Sequence, residues 1–154
     1  MLKNASKHIL VSWFIFALSG CALFSQPHNA SEASPPLPAA IEVKVLAKTE
    51  KTWAGDFLPS YPKGKPEITI LRITIPAKEK LPLHEHPVIN AGVLLKGTLT
   101  VITEDGKTLH LRAGDSIVEV VNKWHYGINE GDESAEIIVF YAGEKGTPIT
   151  IKKK

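Results

Sequence analysis

The segment LPLHEHPVINAGVLLKG, residues 81–97, contains two histidines, His84 and His86, with one residue between them. Side chains two residues apart on a β-strand lie on the same face of the strand. The same alternation continues to Asn90, although Pro87 can interrupt a strand at this point. If the segment is a strand, both imidazoles and the Asn90 amide face one side of it.

A third histidine lies elsewhere in the chain. His125 ends the sequence NKWH, which follows the apolar run 116–121. Two strands of a closed barrel can bring three imidazoles to one interior point, and neutral imidazole nitrogen binds Zn, Fe, Ni and Cu. A His-x-His pair alone is weak evidence, because most such pairs lie on protein surfaces. A metal site at His84, His86 and His125 therefore depends on the sequence around them.

The chain after residue 40 is predicted to be all-β. Asp105 and Gly106 separate two alternating runs, and Asp-Gly between such runs is a strong hairpin signal. No convincing amphipathic helix follows residue 40, and many short strands with glycine turns favour a sandwich or a barrel. Strands are predicted at 41–45, 68–75, 99–103, 108–111, 116–121 and 136–142.

Two local features refine this prediction. The alternation of residues 68–75 changes phase after Ile70, which indicates a bulge or burial on both faces. Residues 51–65 contain glycines and prolines that predict a long loop, whose aromatic residues Trp53, Phe57 and Tyr61 are expected to form a hydrophobic flap on the barrel.

The strand alternation also predicts which side chains fill the barrel. His110 alternates with its apolar neighbours and is expected to face away from them. The segment 88–95 is apolar almost throughout, which predicts burial on both faces, for which a dimer is one explanation. The predicted core consists of Leu94, Leu99, Val101, Leu109, Leu111, Val118, Ile138 and Phe140.

The spacing of the histidines and glycines resembles the two sequence motifs of the cupin superfamily. In the first motif, two histidines are followed by a glutamate and a glycine, and in the second a glycine is followed by proline, glycine, histidine and asparagine. The first set of positions holds His84, His86, Asn90 and Gly97, and the second holds Gly114, Val120, Asn122, His125 and Asn129. Every spacing is met, while Asn90, Val120 and Asn122 depart from the motif residues.

This resemblance covers about residues 67–142. It implies a small single-domain cupin similar to quercetin dioxygenases. The fold would be an all-β double-stranded β-helix, which is a jelly-roll-like β-barrel. The family also implies one divalent transition metal held inside by His84, His86 and His125, with Fe(II) favoured and Zn, Ni, Mn and Cu as alternatives.

Asn90 stands where the family has a glutamate, and this changes the charge of the predicted site. An amide oxygen is a neutral and weak ligand, so the bound ion would keep a net charge of about +2. We expect looser metal binding, attraction of an anionic or chelating molecule, and a catalytic role for Asn90 in orienting a bound ligand or water. Glu119 is the obvious replacement carboxylate, but we expect it to face solvent because charged residues are seldom buried.

Three functions are compatible with these residues. The leading hypothesis is a metal-dependent, oxygenase-type enzyme that acts on a small anionic or chelating molecule. The second is a non-catalytic module that binds a small ligand or a metal. The third is a metal-free isomerase or epimerase that uses His86 or His125 as a base. Fold resemblance alone does not choose among them.

The N-terminus predicts export and lipidation. Lys3 and Lys7 precede an apolar run of ten residues, and LSGC at residues 18–21 resembles a bacterial lipobox. We predict a signal peptide at 1–20, a lipid on Cys21, a disordered linker through residue 40, and a cupin domain at 41–154. The expected location is the bacterial cell envelope, on the periplasmic face of the outer membrane.

Composition excludes several other functions. Cys21 is the only cysteine, so the mature domain has no thiol for catalysis or zinc binding. Removal of the signal peptide leaves equal numbers of basic and acidic side chains, which gives no indication of a nucleic-acid partner. Residues 152–154 are three lysines, predicted to be a solvated tail. A homodimer that pairs through the edge strand 41–47 is a further expectation.

Overall fold

The computed structural model describes residues 40–154, and the unit Ile41–Lys154 contains the fold. The predictions for the signal peptide, Cys21 and nearly all of the linker lie outside the described residues. Within residues 40–154 there is no helix long and apolar enough to cross a membrane. The strands of the described part are β1 (Pro66–Ile75), β2 (His84–Glu85), β3 (Ile89–Lys96), β4 (Thr98–Thr103), β5 (Thr108–Arg112), β6 (Ser116–Val118), β7 (His125–Ile128), β8 (Ala135–Glu144) and β9 (Ile151–Lys152).

These strands form two antiparallel sheets, which confirms the all-β prediction. The four-stranded sheet has the order β1-β8-β3-β6, and the five-stranded sheet has the order β5-β4-β7-β2-β9. The inward-facing side chains of both sheets form one hydrophobic core. Its buried members are Ile75, Val88, Leu94, Leu99, Val101, Leu111, Ile117, Ala135, Ile137, Val139 and Tyr141.

Strand β1 pairs with β8 over ten residues without a change of register, so the predicted bulge is absent from β1. Leu71 and Ile73 pack against the core and Ile75 is buried within it. Ile68 and Ile70 lie on the outer face and are exposed. The predicted phase change is wrong, because β1 carries apolar residues on both faces and only one of the two faces is buried.

The side-chain alternation of β8 is opposite to the prediction. Ile137, Val139 and Tyr141 are buried, whereas Ile138 is half-buried and Phe140 is exposed. Both faces of this strand are apolar, so local alternation could not show which one meets the core. Elsewhere the prediction fared better, since Leu94, Leu99, Val101 and Leu111 are buried as expected, while Leu109 and Val118 are only half-buried.

The inner face of β3 is the part of the fold that leads to the histidines. Asn90 and Leu94 are buried on this face, whereas the alternate residues are half-buried and Leu95 is exposed. Within the single chain, residues 88–95 are therefore buried on one face only, and burial of the other face in a dimer stays a prediction. Inward and outward residues alternate, and Asn90 is directed into the barrel.

Turns at the motif positions have the backbone conformation that the motif glycines allow. Gly97 and Gly114 have φ of +76° and +94°. Asn122, in the place of the second motif glycine, has φ of +51°. Asparagine tolerates this left-handed conformation better than other side chains, which explains how it substitutes for glycine there. The predicted Asp-Gly hairpin between β4 and β5 is also present.

Residues 41–49 form no strand, and Ile41, Val43 and Val45 are exposed. Alternation alone predicted a strand here, but no neighbouring strand provides hydrogen-bond partners for this segment. A side-chain contact does exist, since the Ser116 hydroxyl donates a hydrogen bond to the Leu46 carbonyl at 2.8 Å. The predicted dimerisation edge at 41–47 therefore lacks its strand, and the homodimer stays a prediction.

The predicted loop at 51–65 is present, with only an isolated bridge inside it. Trp53 packs against the core, while Phe57 and Tyr61 are exposed. The hydrophobic flap is therefore limited to Trp53. At the other end of the chain, Lys152 is not part of a free tail, because it belongs to β9 and pairs with β2.

Candidate metal centre

The five-stranded sheet brings the three histidines together. β2 and β7 are antiparallel neighbours in which His84 lies opposite His125. His86 lies two residues beyond His84, and one ligand atom of each of the three rings lies within 4.8 Å of the others. The ring centroids are 4.5–5.0 Å apart. The three imidazoles that the sequence predicted as metal ligands therefore form one cluster that could hold a metal ion.

Hydrogen bonds to the main chain determine the tautomer of each ring. A carbonyl oxygen only accepts hydrogen bonds, so a ring nitrogen in contact with it must carry the proton. The Nε2 atom of each neutral ring is then left with a free lone pair, which is the form that binds a metal. The Nδ1 contacts are with the carbonyl oxygens of Pro82 for His84 (2.7 Å), Ile149 for His86 (2.7 Å) and Lys123 for His125 (2.8 Å).

Burial keeps these rings neutral. His86 and His125 are buried and His84 is half-buried, and burial lowers the pKa of all three below 6.5. The pKa of His86 falls to about 4. Protons therefore do not compete for the three Nε2 atoms at neutral pH.

Two buried polar atoms at this cluster have no hydrogen-bond partner among the described residues, and they are His125 Nε2 and Asn90 Oδ1. The Asn90 amide nitrogen donates to the Val88 carbonyl at 3.3 Å, and Asn90 lines the cavity beside the three histidines. Leaving buried polar atoms unsatisfied costs about 1–3 kcal/mol each. Both atoms can donate a lone pair to a cation, so the residues present fit a bound metal with a ligand or water beside it.

Glu119 faces the site, and the expectation that it faces solvent is wrong. Ala91 pairs with Val118 across β3 and β6, so the next pair outward is Asn90 and Glu119. Directly opposite residues share a face of the sheet, and Asn90 is directed into the barrel. Only 12% of the Glu119 side chain is exposed.

The Glu119 carboxylate lies between an indole and an imidazole. Oε2 is 3.7 Å from His125 Nε2 and accepts a hydrogen bond of 3.3 Å from Trp53 Nε1. Burial raises the pKa of Glu119 to about 7, while the Trp53 hydrogen bond opposes this rise. Burial also raises the pKa of Tyr141 to about 12, and its ring packs edge-on against His86 with centroids 5.4 Å apart.

A cavity of about 280 Å³ opens in front of the cluster. Its walls are mostly apolar core residues, and this volume is at the small end of the range for ligand sites. Lys152 belongs to the same wall and is exposed, so it places a positive charge beside the cavity. The polar lining consists of His84, His86, Asn90, Glu119, His125, Tyr141, Thr150 and Lys152.

Two other residues noted in the sequence lie outside this site. The buried Asn129 amide donates to the carbonyls of Ile75, Pro76 and Glu133 and accepts from the Gly131 amide, so it holds the turn after β7. His110 is exposed, which confirms its predicted outward orientation, and its ring contacts the Thr100 hydroxyl.

Part of the chain matches a known protein family. Residues 71–141 match the family model of the cupin domain, which confirms the resemblance found in the motifs. The match includes all three histidines, Asn90 and Glu119. No curated protein matches the sequence.

Solved structures with a similar fold are distant in sequence. An uncharacterized conserved protein with a double-stranded β-helix domain from Klebsiella pneumoniae is 18% identical, with a TM-score of 0.50 over 63% of this chain and 90% of that chain. DMSP lyase DddQ from Ruegeria pomeroyi is 19% identical, with a TM-score of 0.50 over 65% and 47%. An oxalate oxidase in complex with the substrate analogue glycolate is 24% identical, with a TM-score of 0.48 over 55% and 45%. The chain thus spans about half the length of the last two, and the likeness shows the fold alone.

Sequence reasoning missed the orientation of Glu119 and the roles of Trp53, Tyr141 and Lys152. For Glu119 a signal existed: Ile117 is apolar, and Glu119 lies two residues further on the same face. Tyr141 and Lys152 are brought to the cavity, and Trp53 to Glu119, by tertiary contacts between segments far apart in the chain. No local pattern could reveal those contacts.

Proposed function

We propose that the chain is a metal-dependent cupin enzyme of the oxygenase type that acts on a small anionic or chelating molecule. The observation that carries this proposal is the arrangement of His84, His86 and His125, whose Nδ1 atoms are held by main-chain carbonyls while their Nε2 atoms converge. A fixed set of neutral imidazoles is suited to Fe(II), which we favour, and also to Zn, Ni, Mn or Cu. When bound, such an ion supplies a Lewis acid and, for iron, a centre for oxygen chemistry.

The cavity supports the proposed class of substrate. Its small volume suits a small molecule, and its walls are mostly apolar. Lys152 adds a positive charge at the wall, which favours an anionic group. We assign to Asn90 the task of orienting the bound molecule or a water, because its Oδ1 is buried without a partner and the residue lines the cavity.

Metal analysis of the full chain tests the proposal. Wild-type protein purified from its own host should contain close to one equivalent of a transition metal, and a variant with all three histidines changed to Ala should contain none. His110→Ala is the matched control, because His110 is exposed and outside the cavity. Equal metal in wild type and triple variant would refute the proposal. Oxygen uptake with small carboxylates and diketones then tests the oxygenase class.

A non-catalytic binding module is the second candidate, and the replacement of a glutamate by Asn90 favours it. An amide neither takes nor gives a proton at neutral pH, so Asn90 cannot serve as a general base. A small carboxylate that raises the melting temperature of the metal-loaded protein without being consumed would support this function. Turnover that persists after chelation would instead identify a metal-free isomerase with His86 or His125 as its base.

The N-terminal sequence supports a proposed attachment to the cell envelope. LSGC at residues 18–21 provides the lipidation site at Cys21, and the expected location is the periplasmic face of the outer membrane. Labelling cells with radioactive palmitate should mark the wild-type protein and not Cys21→Ser. Label in neither protein would contradict the proposal.

A further inference from the structure

We infer that Glu119 is a fourth protein ligand of the metal, and that it supplies from β6 the carboxylate missing at Asn90. The inference rests on the proposed metal site at His84, His86 and His125. Glu119 is not one of the positions at which either cupin motif holds a metal ligand. It follows from the strand register, from one interatomic distance and from the contact with Trp53.

The strand register places the Glu119 side chain beside Asn90. Across β3 and β6, Gly92 pairs with Ile117 and Ala91 pairs with Val118. Beyond the end of β6, the Glu119 amide donates a hydrogen bond of 3.1 Å to the Asn90 carbonyl. The two residues are therefore cross-strand neighbours on the inner face. A carboxylate at residue 119 enters the region that a longer acidic side chain at residue 90 would occupy.

The distance between Glu119 and His125 suits two ligands of one cation. His125 Nε2 carries a lone pair because its Nδ1 donates to the Lys123 carbonyl, and Glu119 Oε2 lies 3.7 Å away. Two electron-rich atoms at this distance repel each other and are too far apart for a hydrogen bond. Ligands that each lie about 2.1 Å from one ion are separated by roughly 3.0–4.2 Å, depending on the coordination angle. This distance is compatible with a metal shared with His125. Glu119 is outside the cluster whose ligand atoms all lie within 4.8 Å of one another, so its side chain must turn further toward His84 and His86 to share their ion.

Trp53 acts as a positioning residue for this carboxylate. Its backbone amide donates to the Val118 carbonyl at 2.8 Å, which attaches the loop to the edge of β6. Its indole nitrogen then donates to Glu119 Oε2. Metal-binding carboxylates are commonly oriented by such hydrogen bonds. The contact holds Glu119 toward the histidines instead of toward solvent.

Titration of the metal-free full chain with Co²⁺, followed by its visible absorption, tests the inference. Glu119→Gln keeps the side-chain shape and an oxygen that can accept from Trp53, but removes the charged ligand. The matched control is Glu85→Gln. Glu85 lies between His84 and His86 in the sequence, and its carboxylate acts on His125 only through its charge. Circular dichroism melts without metal verify that each variant is folded.

We expect Glu119→Gln to weaken Co²⁺ binding at least about 10-fold and to shift the Co²⁺ absorption bands. Glu85→Gln should weaken binding by less than about 3-fold and keep the wild-type bands. The inference is overturned if Glu119→Gln retains the wild-type spectrum, whatever its affinity, or if Glu85→Gln produces the same change. Wild-type protein that binds no Co²⁺ would overturn the proposed metal site as well, so the two failures are distinguishable.

Discussion

The backbone amide of Glu119 donates a hydrogen bond of 3.1 Å to the backbone carbonyl of Asn90. One of these residues has lost the acidic side chain that its motif position normally carries, and the other brings an acidic side chain to the same wall of the cavity. The bond joins them across two antiparallel strands, so any movement of Asn90 in its strand also moves Glu119. The charge and the geometry of the candidate metal centre are therefore linked through β3 and β6.

Asn90→Asp should destabilise the metal-free protein and increase its dependence on metal. The new carboxylate would be buried close to Glu119, so we expect a loss of about 1–3 kcal/mol in the free energy of unfolding at neutral pH. Bound Zn²⁺ should recover most of this loss, because the added charge then has a cation beside it. Urea denaturation with chelator and with Zn²⁺ measures both effects.

Asn129→Asp is the control for this change. The Asn129 amide donates to three carbonyl oxygens, so an acid there is repelled by its own neighbours. The variant should be destabilised equally with and without Zn²⁺. If Asn90→Asp behaves in the same way, Asn90 has no part in the metal centre.

Glu119 should make the stability of the metal-free protein depend on pH. Burial raises its pKa from 4.5 to about 7, so its contribution to stability is complete below pH 4.5 and is lost as the pH rises through 7. The free energy of unfolding of Glu119→Gln should therefore increase relative to that of the wild type as the pH rises across this window, by about 3 kcal/mol at most. Denaturant unfolding with chelator at several pH values gives the difference.

His86 has the opposite dependence, which does not affect this comparison. Burial lowers the pKa of His86 from 6.5 to about 4, so stability is lost as the pH falls from 6.5 toward 4. Both proteins carry this histidine, so the effect cancels in the difference. A difference between wild type and Glu119→Gln that stays constant from pH 4.5 to 7 would contradict the buried position of Glu119.

Trp53→Phe should lower metal affinity about 10-fold through Glu119. The change keeps an aromatic ring against the core and removes only the indole N–H that holds the carboxylate. Co²⁺ titration measures the affinity, and Glu119→Gln combined with Trp53→Phe should be no weaker than Glu119→Gln alone. Trp124→Phe is the control, because the Trp124 ring lies near Lys153 and not on Glu119. Equal losses in both Phe variants would contradict the positioning role.

Two substitutions on β8 test the observed side-chain alternation. Ile137→Ala removes a buried side chain from the core and should cost about 2–5 kcal/mol in the free energy of unfolding. Phe140→Ala removes a larger side chain from the outer face, where 42% of it is exposed, and should cost clearly less. Urea denaturation ranks the two variants. The reverse ranking would contradict the observed alternation and support the sequence prediction, in which Phe140 faces the core.

Spacing and turn chemistry explain why the histidine cluster could be predicted. The His-x-His pair has the period of a strand, and Gly97 and Gly114 have the positive φ angles that their motif positions require. The tautomers could not be predicted, because His86 takes its anchor from Ile149, far away in the chain. Only the folded arrangement shows that contact.

Which face of a strand is buried was the main source of error. Val118 was assigned to the core, and this assignment directs Glu119 outward by alternation. In the structure Ile117 is buried and Val118 only half-buried, so Glu119 faces inward. Strands with apolar residues on both faces do not reveal their inner side, because that choice depends on the neighbouring strand. Ile41 shows the related error, since alternation cannot show that a segment lacks a partner.

All three imidazoles are anchored by main-chain oxygens, and this affects how the site tolerates mutation. A substitution at Pro82, Lys123 or Ile149 changes a side chain but leaves the carbonyl that receives the ring proton. The orientation of the rings therefore does not depend on the side chains at these three positions, as long as the backbone conformation is kept. The vulnerable points are the histidines themselves and the carboxylate at Glu119, whose orientation depends on the side chain of a single tryptophan.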